Sequence, residues 1–100
     1  MNKHDKYSLL LHSEVRSLLL RAPDEILRIA RANIAKRRAS KTHDSKWIEM
    51  WATIIDGDMK SLAAVLIEES DCAQALRSCS PFAGAITEKR RLELHRAIEG

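Results

Sequence analysis

Apolar residues recur along this chain with the period of an α-helix, and short polar or Pro/Gly interruptions cut that period into segments. Leu11, Val15, Leu18 and Leu19 fall at i, i+4, i+7 and i+8, one buried stripe of a helix predicted over about Asp5–Leu20. The apolar fraction is 45%, and Ala, Leu and Ile dominate it; only two residues are Val and aromatics total 4%. Such a mix supplies helix formers and withholds the β-branched and aromatic side chains that strands need. The predicted fold is all-α, a compact bundle of five or six helices with short loops. It forms a single helical domain over residues 1–100, a length that suits one core.

The interruptions place the helix ends. Ala22-Pro23 ends the first helix, because proline disfavours helix in the residue before it. Pro23 then suits the first position of a second helix reaching about Ala39, with Asp24 and Glu25 at its positive end. Ile26, Ile29, Ala30, Asn33 and Ile34 line its inner side. Ser40–Asp44 reads as a loop, with Asp44 or Ser45 capping a third helix that carries Trp47, Ile48, Met50, Trp51, Ile54 and Ile55. Asp56-Gly57-Asp58 stops it, Gly57 being suited to a left-handed end position. A fourth helix, about Met59–Glu69, groups Met59, Leu62, Ala63 and Leu66. Ser70-Asp71 caps a short fifth helix through about Ser78, whose stripe is Cys72, Ala75, Leu76 and Cys79. After Ser80-Pro81-Phe82-Ala83-Gly84, Thr87 caps a final helix carrying Leu92, Leu94 and Ile98.

Charge is unevenly distributed around a net +3. Arg28, Arg31, Lys36, Arg37, Arg38, Lys41 and Lys46 face only Asp44 in their stretch. From Glu49 to Asp71, Glu49, Asp56, Asp58, Glu68, Glu69 and Asp71 outweigh Lys60. Either the fold pairs these two surfaces or it leaves one basic and one acidic face. A basic stripe at Arg31, Lys36, Arg37 and Arg38 can track phosphates or meet an acidic protein. No Gly-rich loop, stacking platform or helix-turn-helix spacing accompanies it, so a solvated face or protein contact is favoured over nucleic acid.

Catalytic signatures are wanting. His4, His12, His43 and His95 show no metal-ligand spacing, and Cys72 and Cys79 read as reduced thiols in a chain without a signal peptide. No cofactor is expected, and no metal. Asp56 and Asp58 flank a glycine and read as helix punctuation. No segment is apolar enough for a membrane span, which points to a cytoplasmic protein. Trp47 and Trp51, one turn apart, suit either a partner-binding pair or core anchors; core is favoured, with one ring buried and the other half-exposed as an admissible mixture. Around the Ser80, Pro81, Phe82 and Gly84 turn, Arg77 and Arg91 make a peculiar local set. Phe82 is expected to plug the core beneath the last helix, and a docking site shaped by the turn is the other reading.

The segments LHSEV, PDEILRIARANIAKRR, WIEMWATIIDGDMKSLAAVLIEES and LRSCSPFAGAITEKRRLELHRAI, together about Leu11–Ile98, resemble small all-helical bacterial proteins found beside toxin–antitoxin and related defence genes. The resemblance is most specific over Leu76–Thr87. It implies a non-enzymatic partner in a two-gene unit, neighbouring a nucleotidyltransferase-like or other toxin, and it carries no catalytic residues onto this chain. The leading expectation is therefore an intracellular antitoxin or accessory protein that covers a toxin or related enzyme with a helical face. Arg31, Lys36, Arg37, Arg38, Trp47, Trp51, Arg77 and Arg91 are its candidate partner-binding residues, and self-association is left open. The alternative is a DNA- or RNA-binding regulator using the basic second helix. An enzyme would need a concave site that the sequence does not reveal.

Overall fold

The computed structural model describes residues 3–40 and 45–99, which form six helices and, among the described residues, no strand. In chain order these are α1 (Lys3–Arg21), α2 (Pro23–Ser40), α3 (Ser45–Asp56), α4 (Met59–Ile67), α5 (Asp71–Ser78) and α6 (Glu88–Glu99). The all-α bundle is as expected. Apart from Ser40, which ends α2, the expected Ser40–Asp44 loop lies outside the described residues, as does the Asp44 cap, while Ser45 is the first residue of α3.

Helix α1 is the hub: α2, α4, α5 and α6 all pack against it, while α3 bridges α2 and α4. Its buried His12, Val15 and Leu19 fall on one face, flanked by half-buried Leu11 and Leu18. Pro23 opens α2 as expected, and the Ala22 carbonyl accepts from the Ile26 amide at 3.3 Å across the join. Ile26, Ala30 and Ile34, spaced four apart, form the buried face of α2. They meet Ile48, Trp51 and Ile55 of α3 and Leu62 and Leu66 of α4 in one continuous apolar cluster, which Leu76, Phe82 and Ile86 complete.

Local capping ends several helices. The Ser70 hydroxyl accepts from the Ala73 amide at 3.1 Å and starts α5, and Thr87 Oγ1 accepts from the Arg90 amide at 3.2 Å and starts α6. Gly57 departs from expectation. It does not adopt a left-handed conformation; α3 closes with a tight Gly57 amide to Ile54 carbonyl bond of 3.1 Å, and the chain runs into extended Asp58. Among the described residues the positive-φ glycine is Gly84, at φ 91. It follows Ala83 in a turn closed by the Ala85 amide on the Phe82 carbonyl at 3.0 Å, where a left-handed third residue is required.

Two helix faces also differ. The buried side of α5 is Ala73, Leu76 and Arg77, so Cys72 is exposed rather than part of the inner stripe. The rotation follows from Arg77, whose guanidinium is drawn inward to the end of α4. On α6 only Leu94 is buried, Ile98 is half-buried, and Leu92 stands 51% exposed. This helix packs chiefly against α1 and needs no wider apolar stripe. It runs antiparallel to α1: Arg90 forks onto Glu14 at 3.2 Å, and Tyr7 stacks edge-on with His95, centroids 5.1 Å apart. No described helix is long and apolar enough to cross a membrane.

Trp51 ties the core to the end of α5. It is 0% exposed, and its Nε1 donates to the Leu76 carbonyl at 2.7 Å. Replacing it by Phe keeps an aromatic ring but removes that donor and leaves a void. Trp51→Phe is expected to lower stability by about 2 kcal/mol, read as a drop in the urea midpoint with an unchanged slope.

Candidate functional site: a groove beside the Ser80–Ile86 turn

The turn after α5 is held from behind by side chains that the sequence places far away. Asn33 of α2 uses both Nδ2 hydrogens, donating to the Pro81 carbonyl at 2.8 Å and the Ala83 carbonyl at 2.9 Å. One helical turn later, Arg37 donates to the Cys79 carbonyl at 2.8 Å and the Ser80 carbonyl at 2.7 Å. The Ser80 hydroxyl accepts from the Phe82 amide at 3.2 Å, closing a local turn of the kind serine favours. Pro81 and Phe82 are buried. The Phe82 ring lies edge-on to Trp51 of α3 at 5.6 Å and to His12 of α1 at 6.4 Å. Phe82 is thus the expected plug, but the rings covering it belong to α1 and α3 rather than to the last helix.

Arg77 supports the site from below. It is only 3% exposed, and its Nη1 donates to the Val65 carbonyl at 3.2 Å and the Glu68 carbonyl at 2.7 Å, satisfying carbonyls released where α4 ends. Its Nη2 is buried and has no hydrogen-bond partner among the described residues. Burial weighs against the charge of this guanidinium, and Glu68, Asp5 and Glu69 oppose that effect through space.

In front of the turn, the N-terminal half of α1, the end of α5 and the start of α6 enclose a groove of about 520 Å³. Leu11, Val15, Phe82 and Ile86 are among its apolar lining, and the polar lining includes His4, Tyr7, Ser80, Glu88 and Arg91. His12 is the chemically distinctive member. Its Nδ1 lies 2.7 Å from the Ser8 carbonyl, so Nδ1 carries the proton and Nε2 keeps its lone pair in the neutral ring. Burial lowers the His12 pKa; the Ser8 carbonyl works against that shift, and the nearby Arg77 charge adds to it.

The structure therefore divides the residues singled out from sequence. Ser80, Phe82, Gly84, Arg77 and Arg91 converge on the groove, with Pro81 beneath the turn. Arg37 braces the turn from the other side. Arg38 instead grips Glu49 through two bonds of 2.6 Å, and Arg31 lies 3.6 Å from Asp56, so the basic stretch of α2 is largely paired with α3. Lys36 is exposed and has no ion pair among the described residues. Trp51 is core, whereas Trp47 is half-buried with the Lys46 ammonium 5.3 Å from its ring centre. Among the described residues, no group of three or more His, Cys, Asp or Glu is placed to hold a metal.

His12, Tyr7, His4 and the bracing Asn33 were not singled out as site residues. Asn33 did carry a signal, being a polar residue on the inner apolar stripe of its helix. The groove carried none, because it forms between helices that are distant in sequence.

Two outcomes test this geometry. Asn33→Asp keeps the side-chain shape but sets acceptors against two carbonyls; it is expected to cost about 3 kcal/mol and to raise hydrogen exchange at the Ala85 amide. For His12, the folded pKa lies below the unfolded one, so the unfolded chain binds the proton more readily. Its stabilising contribution is complete above the unfolded value of about 6.5 and is lost as pH falls toward the folded pKa. Melting temperature is expected to fall from pH 7.5 to pH 5.5, and His12→Leu to flatten that slope whatever its own stability. No protein-family model, curated protein or solved structure matches the chain, so the meaning of the groove rests on its own geometry.

Proposed function

We propose that this chain is a non-catalytic interaction module, the antitoxin or accessory half of a bacterial toxin–antitoxin pair, which presents the Ser80–Ile86 turn to a protein partner. The observation that carries the recognition role is the bracing of that turn. Asn33, Arg37 and Trp51 hold five carbonyls from behind, those of Leu76, Cys79, Ser80, Pro81 and Ala83, while the Ala83 and Gly84 positions are exposed. A surface loop held rigid before binding loses little conformational entropy when a partner covers it, which is how preformed shape becomes affinity. The toxin–antitoxin assignment rests on the resemblance of the Leu76–Thr87 segment and its neighbours to such proteins.

A partner reading the turn would also meet Arg91 at the groove rim. The α2 face contributes less than its charge suggests, since Arg37 points into the fold and Arg31 and Arg38 are engaged by Asp56 and Glu49. The same pairing weakens the support for a nucleic-acid regulator, because phosphates would have to compete with those carboxylates for the arginines.

Co-expression with the product of the flanking reading frame is expected to give a complex that co-elutes in size exclusion. Ala83→Glu leaves the bracing backbone carbonyls in place and is expected to weaken that complex at least tenfold, about 1.4 kcal/mol. Failure of the two products to associate, or an unchanged affinity with Ala83→Glu, overturns the proposal. A salt-sensitive mobility shift on the gene's own promoter, lost in Arg31→Glu/Arg38→Glu, would establish the regulator instead.

A further inference from the structure

We propose that the groove beside the turn binds a small neutral phenol, whose hydroxyl donates to His12 Nε2 and whose ring occupies the apolar part of the groove. This concerns the groove's own ligand and holds whether or not the chain pairs with a toxin.

His12 is 6% exposed, and what remains open of it lines the groove. Its Nδ1 is committed to the Ser8 carbonyl at 2.7 Å, one turn back along α1. The two nitrogens of an imidazole point away from each other, so the Nε2 lone pair projects off that helix. Nε2 makes no hydrogen bond to any described residue. Unlike Arg16 Nε and Arg77 Nη2, which are sealed from water without a partner, it keeps accessible surface. The result is a single acceptor, fixed in direction by a nearly buried ring and unclaimed by the protein. Few polar groups in fixed positions over an apolar lining is the pattern by which small-molecule sites orient a ligand.

The charge of the occupant follows from the same ring. Burial first, and the Arg77 charge besides, lower the His12 pKa against the pull of the Ser8 carbonyl, so at pH 7.5 the ring is a neutral acceptor. A carboxylate has no proton to give it. An ammonium would have to leave water and bring a second positive charge to a ring that already feels Arg77. A neutral donor remains. Among neutral donors a phenolic O–H gives its hydrogen more strongly than an aliphatic alcohol, and its flat ring suits a lining that includes Leu11, Phe82, Ala83 and Ile86. The volume of about 520 Å³ falls within the roughly 300–1,000 Å³ typical of such sites.

The test is an NMR titration of the whole chain at pH 7.5 with 4-ethylphenol, 4-ethylanisole and 4-ethylbenzylamine, followed at the His12 ring and the Gly84 amide. Ethylphenol is expected to give saturable shifts at both positions with a Kd of about 1 mM or tighter, as suits a fragment of its size. The His12 Nε2 nitrogen resonance is expected to move upfield as its lone pair accepts the bond. Ethylanisole has the same ring but a methyl in place of the hydroxyl hydrogen; it and the amine are each expected to bind at least tenfold more weakly. His12→Phe keeps a ring beside Phe82 and removes the acceptor, and it is expected to abolish the preference for the phenol over the anisole. The Nε2 resonance of the unaltered chain decides the matter whether or not that variant folds. No saturable shift, shifts centred elsewhere, equal binding of the anisole or the amine, an unmoved Nε2 resonance at saturation, or a folded His12→Phe that keeps the preference each overturns the proposal.

Discussion

Backbone carbonyls released where a helix ends must find donors, and in this protein that requirement organises the whole C-terminal half. Where α4 stops, Arg77 supplies the donor to Val65 and Glu68. Where α5 stops, Trp51 supplies one to Leu76 and Arg37 supplies them to Cys79 and Ser80. Asn33 then takes the next two carbonyls around Phe82. A short helix followed by an irregular turn would otherwise hold few bonds of its own. Here it becomes a rigid part of the core because two other helices, α2 and α3, reach across to complete it, and its own Arg77 reaches the end of α4.

The same bonds explain how a bundle of short helices with few aromatics keeps one defined arrangement. Apolar burial by Leu and Ile is strong but largely non-directional, and it tolerates rotation of a helix about its axis. The bonds from Trp51, Asn33, Arg37 and Arg77 do not. Each specifies which carbonyl must lie opposite which donor, so α5 and the turn have one register against α2, α3 and α4. Around that frame α1 acts as the common wall, and α6 is the least committed element, held through one buried leucine, an arginine fork and an edge-on ring pair. The groove lies where this lightly held helix leaves the turn.

Local signals in the sequence were legible because the interactions behind them span only a few residues. Pro23 at the start of α2, Ser70 at the start of α5 and Thr87 at the start of α6 each behave as their chemistry dictates. The inner faces of α2, α3 and α4 follow from apolar spacing, and one buried and one half-buried tryptophan is the mixture that spacing allowed. Gly57 misled because a glycine between two aspartates suits two kinds of helix end, and a tight final bond made the left-handed one unnecessary. Cys72 and Leu92 misled for another reason: in short or peripheral helices a single tertiary partner outweighs the weak preference of the stripe.

Sequence by itself determined that this chain is helical, roughly where each helix begins and ends, and which turn would be peculiar. Those properties depend on propensity, period and capping, all contained within one or two turns of chain. Only the tertiary structure decided that Arg37 serves the turn rather than the surface, that Arg31 and Arg38 meet carboxylates, and that His12, Arg77 and Arg91 share a groove. The bonds that brace the turn join residues 42 to 50 positions apart. A donor and an acceptor at that separation leave no periodic trace in the chain, because their meeting depends on how whole helices stack rather than on either residue's neighbours.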